Sequence, residues 1–284
     1  MAKILMLGLG GLNPELVEQW KGELPNISQM EDDGIWGKLQ STVPPIAPVA
    51  WTCVQTGLGP DTFGFWDYNF RDDFSYGLPE EVDSSSIKPV SLYKYLANRG
   101  KKVAIINVPL SWPPPRIPGG YAVSSFADQE QSREYTSPAS LQKEIEALVG
   151  EYHLDTSAAG SSFLDLSEDE ALERYYKADE QQFALAKHFI TKKQCEYVFA
   201  VINGAEKITG RFDRFFDEEH ERYEKNEQYK DVLKKYYLFV DQKIGELRGL
   251  IDDNTVLFVL SAYGAQRFDG RFNLNEWLIQ EGYL

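Results

Sequence analysis

Few side chains in this sequence stand where they could do chemistry. Histidine occurs three times, as His153, His188 and His220, and cysteine twice, as Cys53 and Cys195. None of the histidines closes a strand-like apolar run. His188 falls in an amphipathic helical pattern and reads as a packing or surface residue. His220 sits in the acidic run Glu218-Glu219-His220-Glu221-Arg222 and reads as part of a solvated charged stretch. So scattered a set of ligands is a poor zinc site, which needs several nitrogen or sulfur groups converging. The paired acids Asp72–Asp73 and Glu218–Glu219 read as solvated charge, and Cys53 and Cys195 as reduced, packed thiols.

Two glycine-bearing turns remain. Gly8-Leu9-Gly10-Gly11-Leu12-Asn13 follows the first apolar run, but the dinucleotide fingerprint needs a third glycine where Asn13 stands. No second strand with a terminal acid follows at the usual distance, so a tight strand-to-helix turn is the better reading. Ser261-Ala262-Tyr263-Gly264 closes the last apolar run and presents a methyl group and a phenol. The chain has no Walker-type Gly-Lys-Ser/Thr loop and no Gly-X-Ser-X-Gly elbow.

The elements that must hold these turns are legible as alternating apolar runs and amphipathic stretches. Residues 4–9, 101–110, 197–204 and 254–262 read as four buried strands. Asn13 is a helix N-cap with Pro14 in the first turn, and that helix stops near Gly22. Residues 42–60 hold a Pro-rich entry, a helix and a Gly-Pro exit. Residues 92–99 and 230–250 read as helices, with serine-capped helices near 137–149 and 167–193. Residues 111–135 are rich in Pro, Gly and Ser, with a short strand at 120–125, and the charged stretch 211–229 reads as loop. Strands separated by helices imply a parallel sheet covered on both faces. Ligands of such sheets bind beyond the carboxyl ends of the strands. That places any site near residues 10–13, the turn after Val108, residues 204–210 and residues 262–266. The crowded aromatics Trp51, Phe63, Phe65, Trp66, Tyr68 and Phe70 read as core packing and a lid, with an exposed protein-binding patch as the alternative.

Bulk numbers narrow the partners. At 284 residues, 43% hydrophobic and 26% charged, the composition is that of a folded globular chain. The net charge of −15 argues against nucleic acid, which wants clustered Lys and Arg, and against an anionic membrane surface. No apolar run reaches the ~20 residues of a membrane span. The amino terminus lacks a signal-peptide pattern, so the expected location is cytoplasmic.

The order of motifs resembles the type I phosphodiesterase/nucleotide pyrophosphatase branch of the alkaline phosphatase superfamily. The matching stretches are GLGGLNPELV, LPNISQMEDDGIWGKLQST, PPIAPVAWTCVQTGLGPDTFGFWDY, INVPLSWPPP, residues 199–216, and VLSAYGAQRFDGRFNLNEWLIQEGYL. They run from residue 8 to residue 284 in family order. The resemblance implies an α/β, alkaline-phosphatase-like fold with a mostly parallel central sheet and helices on both faces. It implies one domain over residues 1–284, with a cap or insertion around 111–190. The implied chemistry is phosphoester hydrolysis by a Thr or Ser nucleophile beside two divalent metals.

Position by position, the reacting groups of that chemistry are missing. The family's first motif, Gly-Leu-Asp-Gly, is Gly8-Leu9-Gly10-Gly11 here, without the carboxylate. The nucleophile position, two residues after Pro-Pro, is Ala47, and nearby Thr52 is a poor substitute. The Asp-Arg-X-X-His motif becomes Glu206-Lys207-Ile208-Thr209-Gly210, and Ser-Asp-His-Gly becomes Ser261-Ala262-Tyr263-Gly264. A further family histidine is replaced by Phe63. The remaining one is expected well beyond Asn275-Glu276-Trp277-Leu278, and this chain ends at Leu284. The expected metal positions are therefore Gly10, Glu206, Gly210, Ala262 and Tyr263. The vestigial pocket comprises Gly8, Gly10, Gly11, Ala47, Glu206 and Tyr263.

From this pattern the expectation is no catalysis and no cofactor. The chain would act through protein contacts with its own copy, an active paralogue or a larger assembly. The alternatives are a metal-free binder of phosphate esters or nucleotides, using Tyr263, Glu206 and the amides of residues 8–11, or a residual metal-dependent hydrolase.

Overall fold

A computed structural model describes residues 3–71, 78–125, 134–153, 166–265, 270 and 272–284. Its strands are β1 (Lys3–Leu9), β2 (Asn69–Phe70), β3 (Glu80–Glu81), β4 (Val103–Val108), β5 (Tyr121–Ser124), β6 (Thr136–Ser137), β7 (Tyr197–Ile202) and β8 (Thr255–Leu260). Its helices are α1 (Pro14–Trp20), α2 (Pro25–Asp33), α3 (Ala47–Thr56), α4 (Pro60–Phe63), α5 (Leu92–Ala97), α6 (Leu141–Val149), α7 (Glu168–Thr191), α8 (Gly204–Phe216), α9 (Val232–Arg248) and α10 (Leu274–Gln280).

Six strands form one sheet in the order β6-β5-β4-β7-β1-β8, parallel except for the β5–β6 pair. The period-2 alternation of a strand divides each apolar run between two cores. Leu5, Leu7, Leu9, Val198, Ala200 and Ile202 face the larger core, where α7, α8 and α9 pack. Val103, Ile105, Tyr197, Phe199 and Val201 face the second, with Trp51 of α3 and Tyr93 of α5. Burial on both faces is why β7 reads as an unbroken apolar run and β4 as one interrupted only by Asn107.

Local signals behave as their chemistry dictates. The Asn13 side chain accepts from the Glu15 N–H at 2.8 Å and starts α1. Ser167 and Glu170 form a reciprocal capping box at the start of α7. Ser140 precedes α6 without capping it. Asp241, buried on α9, accepts from the Ile27 N–H at 2.8 Å and so closes the start of α2.

Two expectations need correction. The charged stretch from residue 211 is not all loop, because α8 continues to Phe216. Ile208, Phe212 and Phe215 make a buried stripe beneath the charges, and that stripe holds the helix. The last apolar run, β8, is not a buried strand. Among the described residues it is the last strand of the sheet, bonded on one side to β1, and Val256 and Phe258 are 46% and 47% exposed. Its apolar residues gave no sign that one flank would lie open.

The aromatic stretch divides. Trp51, Phe63 and Phe65 are core, while Trp66 and Tyr68 are exposed. Asp72 and Asp73 lie outside the described residues. Among the described residues no helix is long and apolar enough to cross a membrane.

Candidate active site

The carboxyl ends of β1, β7 and β8 converge on one small volume. Gly8, the last but one residue of β1, lies between Val201 of β7 and Leu260 of β8. Just beyond, Gly11 bridges to Gly264, so the two turns singled out in the sequence run side by side. The Glu206 N–H donates to the Gly10 carbonyl at 3.2 Å and ties the first turn of α8 to the same point.

Tyr263 fills the middle. It is 6% exposed, and its hydroxyl donates to Glu206 Oε2 at 2.8 Å. Its ring meets Trp51 edge-on, with centroids 6.3 Å apart. Burial, then the charge of Glu206 and the hydrogen bond to it, push the phenol far above its ordinary pKa. The hydroxyl therefore stays protonated and donates to the carboxylate. Ala262 beside it is buried, and its carbonyl accepts from Ser41 Oγ at 2.8 Å.

The glycines at the strand end are fixed by this crowding. A Cβ at Gly10 would lie 2.4 Å from Asn203 Oδ1 and 3.3 Å from the Tyr263 hydroxyl. Gly11 has φ +76°, and a Cβ there would sit 2.6 Å from the Glu206 backbone. Position 10 has no room for a side chain while Asn203 and Tyr263 keep their places.

Ala47 is the first residue of α3, preceded by extended Ile46. It offers a methyl group at the helix start. Thr52, one turn and more along, is fully buried, and its hydroxyl donates to the Pro48 carbonyl at 2.7 Å. Gly210 stands one turn after Glu206 on α8, with no neighbouring atom within 4 Å of a Cβ built there. The structure thus brings Gly8, Gly10, Gly11, Glu206, Ala262 and Tyr263 together. Asn203, which the sequence reading missed, belongs with them. Its signal was its place between the end of β7 and the start of α8.

His188 Nε2 lies 2.8 Å from Glu144 Oε1, and Lys193 Nζ 2.6 Å from Glu144 Oε2. His220 Nε2 lies 3.6 Å from Asp213. Cys195 is a free thiol that burial pushes up to about 12, and Cys53 is also free. Among the described residues no three His, Cys, Asp or Glu converge as a metal site would require.

Beside Tyr263 an open groove of about 250 Å³ runs between β8 and the segment after α2. Its walls include Leu12, Met30, Trp36, Leu39, Phe258 and Ser261.

A mostly parallel six-stranded sheet covered by helices on both faces makes this an α/β protein. The sequence profile described as type I phosphodiesterase / nucleotide pyrophosphatase matches residues 4–284, and the chain belongs to that family. Among the solved structures that share the fold are two of one enzyme. Both are phosphonoacetate hydrolase from Sinorhizobium meliloti 1021, one with phosphonoformate (TM-score 0.54) and one with phosphonoacetate (0.55). Each is 14% identical to this chain. The match covers 93% of this chain and 56% of the hydrolase, so the chain spans little more than half the length of that protein. No curated protein matches the sequence.

Proposed function

We propose that this chain is a catalytically inactive member of its family, acting through protein–protein contacts as a scaffold, regulatory or assembly subunit. One observation carries the reading. The buried phenol of Tyr263 lies between Gly10 and Glu206 and is bonded to the only carboxylate among the ligand positions. The chemistry that the family resemblance implies needs a hydroxyl nucleophile and two divalent metals, and the residues present do not fit that requirement. A metal pair wants several oxygen or nitrogen ligands, and positions 10, 210, 262 and 263 supply glycine, glycine, alanine and tyrosine. Even about 2 kcal/mol for each of four lost ligands multiplies to roughly a millionfold in affinity. Ala47 has no oxygen to attack phosphorus, and Thr52 spends its hydroxyl inside α3.

The test is hydrolysis of bis(p-nitrophenyl) phosphate with Zn²⁺ and Mn²⁺ present. The expected rate equals the protein-free blank. Turnover that a chelator abolishes would mean a working metal site and would end this reading in favour of a residual hydrolase.

A second reading, metal-free binding of a phosphate ester or nucleotide, is favoured by the groove that reaches Ser261 and Tyr263. Against it, the Gly10 N–H already donates to the Ile202 carbonyl and the Asn13 N–H to the Tyr237 hydroxyl. Glu206 adds a negative charge. Thermal shift against nucleotides and sugar phosphates separates the two readings, since binding would raise the melting temperature with ligand concentration.

A further inference from the structure

The end of the sheet away from the Tyr263 pocket carries charge opposite in sign to the chain. Residues 84–127 hold Lys88, Lys94, Arg99, Lys101, Lys102 and Arg116 and neither Asp nor Glu, in a chain of net charge −15. Two loops bring the centre of this stretch against a second basic run. Residues 98–102 lead into β4 and residues 192–196 into β7, and the Glu196 N–H donates to the Lys102 carbonyl at 2.7 Å. Arg99-Gly100-Lys101-Lys102 and Lys192-Lys193 therefore form one strip at the amino ends of these strands. β4 and β7 are six residues each, so the strip lies about 20 Å from the carboxyl ends where the pocket forms. β1 stands between it and β8.

The strip is only partly neutralised. Lys101 Nζ donates to Glu196 Oε1 at 2.8 Å, and Lys193 Nζ to Glu144 Oε2 at 2.6 Å. The side chains of Lys94, Arg99, Lys102 and Lys192 have no carboxylate within ion-pair distance among the described residues. Cations near the ends of α5 and α7 offset the helix dipoles, but two helix ends together present only about one unit of negative charge. Roughly three positive charges stay uncompensated.

The strip also has an apolar side. Leu92, Tyr95 and Arg99 follow one another at helical spacing on the outer side of α5 and its exit, and all three are exposed, Tyr95 by 47%. The central carbon of the Arg99 guanidinium sits 3.4 Å from the centre of the Tyr95 ring, and Lys102 Nζ 5.7 Å from that of Tyr121. These contacts fix where the charges stand without neutralising them.

We propose that this strip docks a short acidic segment of a partner protein. Its carboxylates would meet Arg99, Lys102 and Lys192, and an apolar side chain would cover Leu92 and Tyr95. Charge sets the sign of the occupant, and the reach of the field sets its kind. A nucleic acid or an anionic bilayer extends past the strip, over the rest of a chain of net charge −15, and is repelled there. A short peptide ends before it reaches those acids, because charges more than about 8 Å away are screened. Leu92 and Tyr95 offer contact that a phosphate backbone cannot use, and protein interfaces are enriched in Arg and Tyr. The partner of the protein-contact reading, on which this assignment rests, thereby gains a chemistry.

Fluorescence anisotropy tests it with the intact chain and the N-acetylated octapeptide Glu-Glu-Leu-Glu-Glu-Tyr-Glu-Glu, labelled at its carboxyl end, at about 0.15 M salt. The expected result is saturable binding that weakens as salt rises. Arg99→Glu combined with Lys192→Glu should weaken it roughly tenfold or more at an unchanged melting temperature. Lys192→Gln alone guards against misfolding of that variant and should weaken binding about twofold. Tyr95→Ala changes no charge and should weaken binding about threefold while leaving the salt dependence as it is. No binding at millimolar peptide would overturn the proposal, and so would binding that the charge variants or Tyr95→Ala leave unaltered. A DNA duplex and phosphatidylserine vesicles, titrated in parallel, should bind more weakly than the peptide. Tighter binding of either, lost with Arg99→Glu and Lys192→Glu, would make the strip a polyanion site and overturn the proposal too. Phosphodiester hydrolysis measured on the same samples keeps the two questions apart. Turnover together with peptide binding would sink the inactive reading alone, and neither turnover nor binding would sink this proposal alone.

Discussion

Replacing Tyr263 separates the two things its side chain does. Tyr263→Phe keeps the ring and deletes the hydroxyl that donates to Glu206 at 2.8 Å. A hydrogen bond to a charged group contributes about 1.5–3 kcal/mol. Glu206 is exposed as a residue and can take water instead, so the expected loss is near 1 kcal/mol. Tyr263→Ala also removes a ring that is 6% exposed and packed edge-on against Trp51. Truncating a buried aromatic costs about 3–5 kcal/mol. The difference between the variants, roughly 2 kcal/mol or more, measures the ring's share. Urea unfolding at constant m value reads it directly.

The pH dependence follows with a definite sign. The folded pKa of Tyr263 is raised, so its contribution is present below the unfolded value near 10 and fades as pH rises further. Tyr263→Phe should therefore make the alkaline limb of the stability curve shallower, by up to about 1.4 kcal/mol per pH unit. If Tyr263→Ala cost less than about 1 kcal/mol, the ring would be a loose flap and not a filled core, against the magnitude expected for a buried aromatic. The pocket would then be open to cations, and the reasoning would fail.

Three further outcomes are expected. Asp241→Ala removes the acceptor of the Ile27 N–H and the Asn26 side chain, and should cost about 1–2 kcal/mol in chemical denaturation. Gly210→Ala, in the exposed middle of α8 with open space around it, should raise stability by about 0.5–1 kcal/mol, seen as a higher melting temperature. Glu144 is held below its ordinary pKa by the Lys193 hydrogen bond and then by His188, so its contribution is present above pH ~4.3 and lost as pH falls. Because Glu144 is well exposed, Glu144→Gln should change the acid limb by only a few tenths of a kcal/mol.

Much of this protein could be read from residue order. β1, β4 and β7 announced themselves as mainly apolar runs because helices cover both faces of the sheet. Asn13 and Ser167 marked helix starts because their side chains bond the first free amides. The convergence of residues 10, 206, 262 and 263 followed from where parallel strands end. What escaped was whatever depended on neighbours in space. The charges of residues 211–216 hid an apolar stripe that only the core reveals. β8 has the composition of a buried strand, and its exposure comes from having a strand neighbour on one side only among the described residues. Asn203 carries no motif, and its part in closing position 10 depends on β7 lying beside β1.

The most direct test of the central claim is divalent-ion binding by the purified chain, measured as Zn²⁺ and Mn²⁺ per protein after equilibrium dialysis and by calorimetric titration. The account predicts no stoichiometric binding between Gly10, Glu206 and Ala262, and no change in any weak uptake when Glu206 becomes glutamine. Two tightly held ions per chain, lost with Glu206→Gln, would contradict it.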